Sequence, residues 1–172
     1  MSRKQLPIGW SHSYNELEDV YGLEKIYKRK NFIKEVYERL SFLTFMGHSY
    51  NEWEMPDNLI NAFTHNYAVV LCSIIEALLA EALFEKDYSK NIASKNLYSQ
   101  GGLAKLLDIA EKRNIISKNK YNFDLLRNIR NKIHLTASTK DVIDSYNMLS
   151  VKVLNEYLDK LDELIQDIKN WL

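Results

Sequence analysis

Two arginines and a histidine in one short segment, Arg127, Arg130 and His134, are the residues whose types and spacing best suit chemistry. On a helix with Leu126 set at zero, Arg130 falls at about 40°, His134 at about 80° and Arg127 at about 100°. The three side chains therefore share one strip, which borders the apolar stripe through Leu126. Guanidinium groups offer paired donors to phosphate oxygens, and an imidazole exchanges protons near neutral pH. The strip is suited to binding or cleaving a phosphodiester.

The same spacing also has a purely structural interpretation. Arginine and histidine on the flank of a helix often pair with carboxylates of a neighbouring helix and have no further role. No cluster of metal ligands accompanies the strip, so we predict no metal site and no cofactor. A single cysteine, Cys72, excludes an intramolecular disulfide and a cysteine-based zinc site.

The elements that would position this strip are helices, because the chain has few turn-forming residues. The sequence contains 5 Gly and 2 Pro in 172 residues, whereas sheet folds need frequent turn signals. We predict an all-α, up-and-down bundle of about five helices in a single domain, residues 1–172, with an irregular lead-in at 1–12. The predicted helices are 14–45 (broken near Gly22 and capped by Gly47), 57–86 (after Pro56), 103–113, 121–136 and a long C-terminal helix from Thr139.

The helix predicted at 57–86 is apolar over most of its girth, which places it in the centre of the bundle. Its first apolar stripe consists of Ile60, Phe63, Tyr67, Val70, Ile74 and Ala77, and its second of Leu71, Ile75, Leu78 and Leu79. In the C-terminal helix the inward positions are predicted to be Val142, Tyr146, Leu149, Val153, Leu154, Leu158, Leu161, Ile165, Ile168 and Leu172.

Charged residues outside the strip are expected to be mostly structural. Glu76 and Glu81 interrupt the most apolar helix, and buried carboxylates are usually paired. Glu76 is a candidate to orient an arginine of the strip, the alternative being an exposed helix margin. A run of basic residues is predicted to be a solvated face, with contact to a nucleic-acid backbone as the alternative. That run consists of Lys25, Lys28, Arg29, Lys30 and Lys34.

Charge and hydropathy indicate where the protein works. The 23 basic and 23 acidic residues cancel, so a strongly basic nucleic-acid clamp is not expected from bulk charge. The first residues carry no apolar signal-like stretch, and the uncharged stretch 58–75 holds several polar side chains. We therefore expect a soluble cytoplasmic protein that does not enter a membrane.

The segment LLRNIRNKIHL, residues 125–135, resembles the signature of HEPN domains (higher eukaryotes and prokaryotes nucleotide-binding). That signature is an arginine, often followed by asparagine, with four to six residues between the arginine and a histidine. The upstream segments GGLAKLLDIAEKRNII and SIIEALLAEAL are also similar to the family. The resemblance covers roughly residues 57–170.

This resemblance implies an α-helical bundle that forms a homodimer, with two motif helices facing each other across one composite site. In many members it implies a metal-independent endoribonuclease that serves as a toxin or in defence against phage. Other members are non-catalytic modules, so binding of a nucleotide, RNA or a protein partner such as an antitoxin is the alternative function.

The resemblance assigns the motif histidine to His134 and leaves the arginine open. Six residues separate Arg127 from His134, whereas three separate Arg130 from it, one fewer than the family's usual minimum. Each arginine is followed by an asparagine, Asn128 or Asn131, so both pairs stay candidates for the site.

Overall fold

A computed structural model describes residues 9–89, 102–117, 121, 123, 124, 126 and 151–172. Within these ranges the chain forms five α-helices and a short 3-10 helix, and no strand. The predicted all-α bundle with a long C-terminal helix is confirmed. The helices are α1 (Tyr14–Tyr21), the 3-10 helix (Leu23–Lys25), α2 (Lys30–Glu52), α3 (Asp57–Ser89), α4 (Gly102–Lys112) and α5 (Val151–Trp171).

Helix α1 begins and ends at residues with the expected chemistry. Ser13 forms a capping box with Glu16, whose carboxylate accepts from the Ser13 backbone N–H at 2.6 Å. The helix ends at Gly22, which adopts the left-handed conformation with φ of 55° and ψ of 41°. The predicted break near Gly22 is confirmed, and residues 9–12 are irregular as predicted.

Helix α2 runs further than the sequence predicts. Gly47 was expected to end it, yet the helix continues to Glu52, and Gly47 lies in its interior. The reason is burial, because Met46 and Ser49 both pack into the core. The Ser49 hydroxyl donates to the Phe45 carbonyl at 2.8 Å, so it adds no unpaired group there.

Helix α3 is the central helix, as predicted. It begins at Asp57 directly after Pro56 and ends at Ser89, three residues beyond the predicted end. Helices α2, α4 and α5 all pack against it. The second predicted stripe is the innermost, since all four of its residues are fully buried, whereas Phe63, Val70 and Ala77 of the first stripe are half-buried.

One helix in the described part of the chain is long and apolar enough to cross a membrane. It spans Leu59–Asp87 within α3, and its most apolar window has a mean hydropathy of 2.0. Within the bundle, 61% of that window is buried against other helices. The core helix of a soluble protein can have the same length and composition, and α3 occupies the central position in this bundle.

Three helices bring their C-terminal ends to one end of the bundle. Arg113, just past α4, forms an ion pair with Asp87 of α3. The Trp171 indole at the end of α5 donates to the Arg113 carbonyl at 3.1 Å, and Lys86 donates to the Trp171 carbonyl at 2.7 Å. Helix α2 runs antiparallel to α3, because Arg29 at its start contacts Glu81 and Tyr50 near its end contacts Phe63.

The short helix α4 has one buried face, and the predicted inward positions in the described part of α5 are largely confirmed. Leu103, Leu106 and Ala110 of α4 are buried. In α5, Leu154, Leu161, Ile165 and Ile168 are buried, and Val153 and Leu158 are half-buried against the core. The assignment of Leu172 is wrong, since this residue follows the end of the helix and is 40% exposed.

Candidate functional site

Of the predicted site residues, only Glu76 lies within the described part of the chain. The other predicted site residues fall outside it, and these are Arg127, Asn128, Arg130, Asn131 and His134. The predicted positions Val142, Tyr146 and Leu149, and the predicted start of the last helix at Thr139, lie outside it as well.

The described residues that precede Arg127 in the chain pack into the core. Phe123 is 1% exposed and Leu126 is fully buried, while Asp124 and Leu126 have helical conformation. The Phe123 ring packs against Tyr157 of α5, with 6.1 Å between ring centroids. The Tyr121 hydroxyl donates to the Asp167 carboxylate, also on α5, at 2.7 Å. Leu126, which sets the phase of the predicted strip, is thus a core residue, as predicted.

Glu76 lies on a half-buried strip of α3. The strip follows helical spacing through His65, Val69, Ser73, Glu76 and Ala80, all of which are half-buried. One carboxylate oxygen of Glu76, Oε1, is buried. A carboxylate in this position stays close to the surface of the bundle while one edge points inward.

The same half-buried face of α3 holds two other polar side chains, His65 and Ser73. Burial lowers the pKa of His65, which favours its neutral imidazole. The Ser73 hydroxyl donates to the Val70 carbonyl at 2.7 Å and accepts from Arg39 at 3.1 Å. His65 and Glu76 are eleven positions apart on one helix, about 16 Å along its axis, so they do not share a site.

A cluster of charges at the start of α2 is the clearest polar arrangement on the described surface. Arg29 donates to the Glu81 carboxylate of α3 at 2.7 Å, and Lys28 lies 3.4 Å from Glu85, one turn further along α3. The prediction that Glu81 is paired is confirmed, and its partner is Arg29. Burial raises the pKa of the Glu81 carboxyl, although the nearby Arg29 guanidinium partly offsets this rise.

A cleft of 580 Å³ lies beside the shared end of α4 and α5. Its lining is mixed, with the carboxylates of Glu111 and Asp167, the amides of Asn114 and Asn170, and the ring of Trp171. Sequence reasoning missed this cleft, because its walls come from α4, the following connector and α5. Asn114 carries the one local signal, since asparagine favours the left-handed conformation that it adopts here with φ of 57°.

Among the described residues, no three histidine, cysteine or carboxylate side chains lie close enough together to hold a metal ion. No protein-family model, curated protein or solved structure matches the chain.

Proposed function

We propose that this protein is a HEPN-like, metal-independent endoribonuclease that acts as a homodimer in the cytoplasm, in a toxin or defence role. The observation that supports the proposal most directly is the complete burial of Leu126. On the helix predicted at 121–136, the spacing from an inward Leu126 puts Arg127, Arg130 and His134 at the edge of the core stripe, where we expect a second subunit and a substrate to approach.

The proposed reaction is a transesterification within the RNA strand. His134 takes the proton from a ribose 2′-hydroxyl while water protonates the leaving 5′-oxygen, or His134 protonates that oxygen while water takes the 2′-proton. The 2′-oxygen attacks the adjacent phosphorus, the bond to the 5′-oxygen breaks, and a 2′,3′-cyclic phosphate and a 5′-hydroxyl result. Arg127 and Arg130 stabilise the extra negative charge on the pentacoordinate phosphorus. DNA is not cleaved, because it lacks the attacking 2′-hydroxyl.

The proposal gives Glu76 and the asparagines supporting roles. The half-buried carboxylate of Glu76 is suited to fixing the direction of one arginine, since a charge-assisted pair holds a guanidinium more firmly than water does. Asn128 and Asn131 follow the two candidate arginines, and their amides can bind the ribose or the phosphate.

The decisive experiment is cleavage of a labelled single-stranded RNA in the presence of EDTA. We expect the wild type to cut RNA and to leave DNA of the same sequence intact. His134→Ala should reduce the rate by about 10²–10⁴-fold, as for the loss of a general acid or base. His12→Ala is the matched control, since His12 is exposed and lies outside the bundle helices.

Single substitutions of Arg127 and Arg130 to Ala identify the motif arginine as the one whose loss reduces the cleavage rate more. Equal cleavage by wild type and His134→Ala would refute the proposed ribonuclease activity of this site. RNA binding without cleavage would instead support the non-catalytic module that the same resemblance allows.

A further inference from the structure

The basic residues at the start of α2 present their charges to solvent, while the carboxylates that pair with them are buried or nearly buried. The side chain of Lys28 is 82% exposed and that of Arg29 is 60% exposed. Their partners on α3 are different, because Glu85 is 10% exposed and Glu81 is 5% exposed. In an ordinary surface ion pair both partners face water. Here the outward side of each pair is positive.

Two further cations extend this surface. Lys25, in the 3-10 helix, and Lys30, the first residue of α2, are both exposed and form no ion pair with any described residue. We call Lys25, Lys28, Arg29 and Lys30 the basic patch. Glu24 lies next to it in the chain, but its two carboxylate oxygens accept from the hydroxyls of Tyr14 and Tyr37 at 2.9 and 2.8 Å. Its charge is therefore turned toward α1 and α2.

The patch is also held rigidly on the bundle. The Tyr27 hydroxyl donates to the Leu78 carbonyl of α3 at 2.9 Å, and the Lys28 backbone N–H donates to Glu85 at 3.3 Å. The Arg29 guanidinium lies 6.0 Å from the centre of the Phe84 ring. A guanidinium whose direction is already fixed loses less side-chain entropy when it binds a phosphate.

We propose that the basic patch binds the phosphodiester backbone of single-stranded RNA. Charge complementarity favours a line of phosphates, because the counter-charges of the exposed cations Lys28 and Arg29 are buried or nearly buried. The chain as a whole has a net charge of +0, so the attraction is local to this end of α2 and α3. This inference extends the proposed function, because it supplies a surface that holds the RNA substrate.

The test measures RNA binding in the His134→Ala protein, so that cleavage does not interfere. The variant is the double substitution Lys25→Gln and Lys30→Gln, which breaks no ion pair in the described part of the chain. We expect it to weaken binding about 25-fold in ~0.1 M salt, since each phosphate contact on a single strand contributes a factor of about five there. The slope of log K against log salt should fall by about 1.4.

A matched control removes the same charge elsewhere. Lys105→Gln with Lys152→Gln takes two exposed lysines from α4 and α5. Lys152 is near Leu154, which lines a small cavity with Thr64 and Tyr67, toward the other end of α3 from Glu81. This double variant should change the affinity less than twofold. Equal weakening by the two double variants would mean that bulk charge attracts the RNA, and would overturn the proposal.

Two further arms separate the alternatives. Vesicles of anionic phospholipid should show no difference between the two double variants, and a loss of vesicle binding without a loss of RNA binding would assign the patch to a membrane. If the wild type fails to cut RNA while the patch variant still loses RNA affinity, RNA binding by the basic patch is supported and the proposed ribonuclease activity is refuted. If the wild type cuts RNA and the patch variant binds RNA normally, the proposed ribonuclease activity is supported and RNA binding by the basic patch is refuted.

Discussion

At the scale of single residues, the Arg29–Glu81 pair shows how burial decides what an ion pair contributes. The Glu81 carboxylate is 5% exposed, and its Oε2 accepts from Arg29 at 2.7 Å. Its other oxygen, Oε1, is buried and has no hydrogen-bond partner among the described residues. The guanidinium is therefore the main compensation for a charge that has lost much of its hydration.

Arg29→Ala should lower the free energy of unfolding by about 1–3 kcal/mol, because it leaves the Glu81 carboxylate buried without its charged donor. Urea denaturation measures this loss. Lys34→Ala is the control, since its partner Glu38 is 66% exposed and water can replace the lysine. That substitution should cost less than about 1 kcal/mol. Similar costs for the two variants would contradict this account.

The cost of Arg29→Ala should also depend on pH. Burial raises the pKa of Glu81 from its ordinary value of 4.5, so the folded state holds a proton there more tightly than the unfolded state does. The stability that this proton brings is present below the unfolded pKa and is lost as the pH rises through the folded pKa. Without Arg29 the folded pKa rises further. The variant should therefore be closer to wild type near pH 4 than at about pH 7 in the same denaturation experiment.

At the scale of the secondary-structure elements, two glycines have opposite roles. Gly22 ends α1 with φ of 55°, a conformation that side chains with a Cβ avoid. Gly47 lies inside α2, where an added Cβ would meet nothing within 4 Å. Substitution of alanine for glycine should therefore change the free energy of unfolding in opposite directions at the two positions.

Gly22→Ala should lower the free energy of unfolding by about 1 kcal/mol, because alanine is strained in the left-handed region. Gly47→Ala should raise it by about 0.5–1 kcal/mol, because alanine is the better helix former and space is open. Thermal unfolding of the two variants beside the wild type tests both signs. A loss of stability in both proteins would show that Gly47 is needed for packing.

At the scale of the whole molecule, tyrosines from several parts of the chain are buried in one core. Tyr27 and Tyr37 are 2% and 1% exposed, and Tyr67 on α3 is 5% exposed. Burial raises the pKa of all three, and that of Tyr67 reaches about 12. These phenols stay neutral in the folded protein at a pH where they ionise in the unfolded chain.

The protein should therefore lose stability steeply above pH 10, the ordinary tyrosine value. A raised pKa contributes stability that is present below the unfolded pKa and is lost as the pH rises toward the folded one. Each such tyrosine steepens the loss by about 1.4 kcal/mol per pH unit. Tyr67→Phe should flatten the curve by about that amount between pH 10 and pH 12, measured by denaturation with tyrosinate absorbance. An unchanged slope would mean that Tyr67 ionises equally easily in both states.

The sequence by itself determined the helical class, the break at Gly22, the start of α3 after Pro56 and the central place of α3. These features depend on local backbone preferences and on the 3.6-residue period of apolar residues, both of which are set by residues close together in the chain. The candidate site is a weaker case. The burial of Leu126 agrees with the predicted phase, whereas the nuclease strip remains a prediction from residue types and from a family resemblance.

Only the tertiary structure decided which charges meet and where α2 ends. Arg29 and Glu81 are 52 positions apart, and no local pattern relates residues at such a separation. Gly47 has a weak preference against helix, which the burial of Met46 and Ser49 overrides, because burying a large apolar side chain contributes more than the propensity of one residue costs. Pairing and burial depend on what the rest of the chain places nearby, and that becomes defined only when the helices pack together.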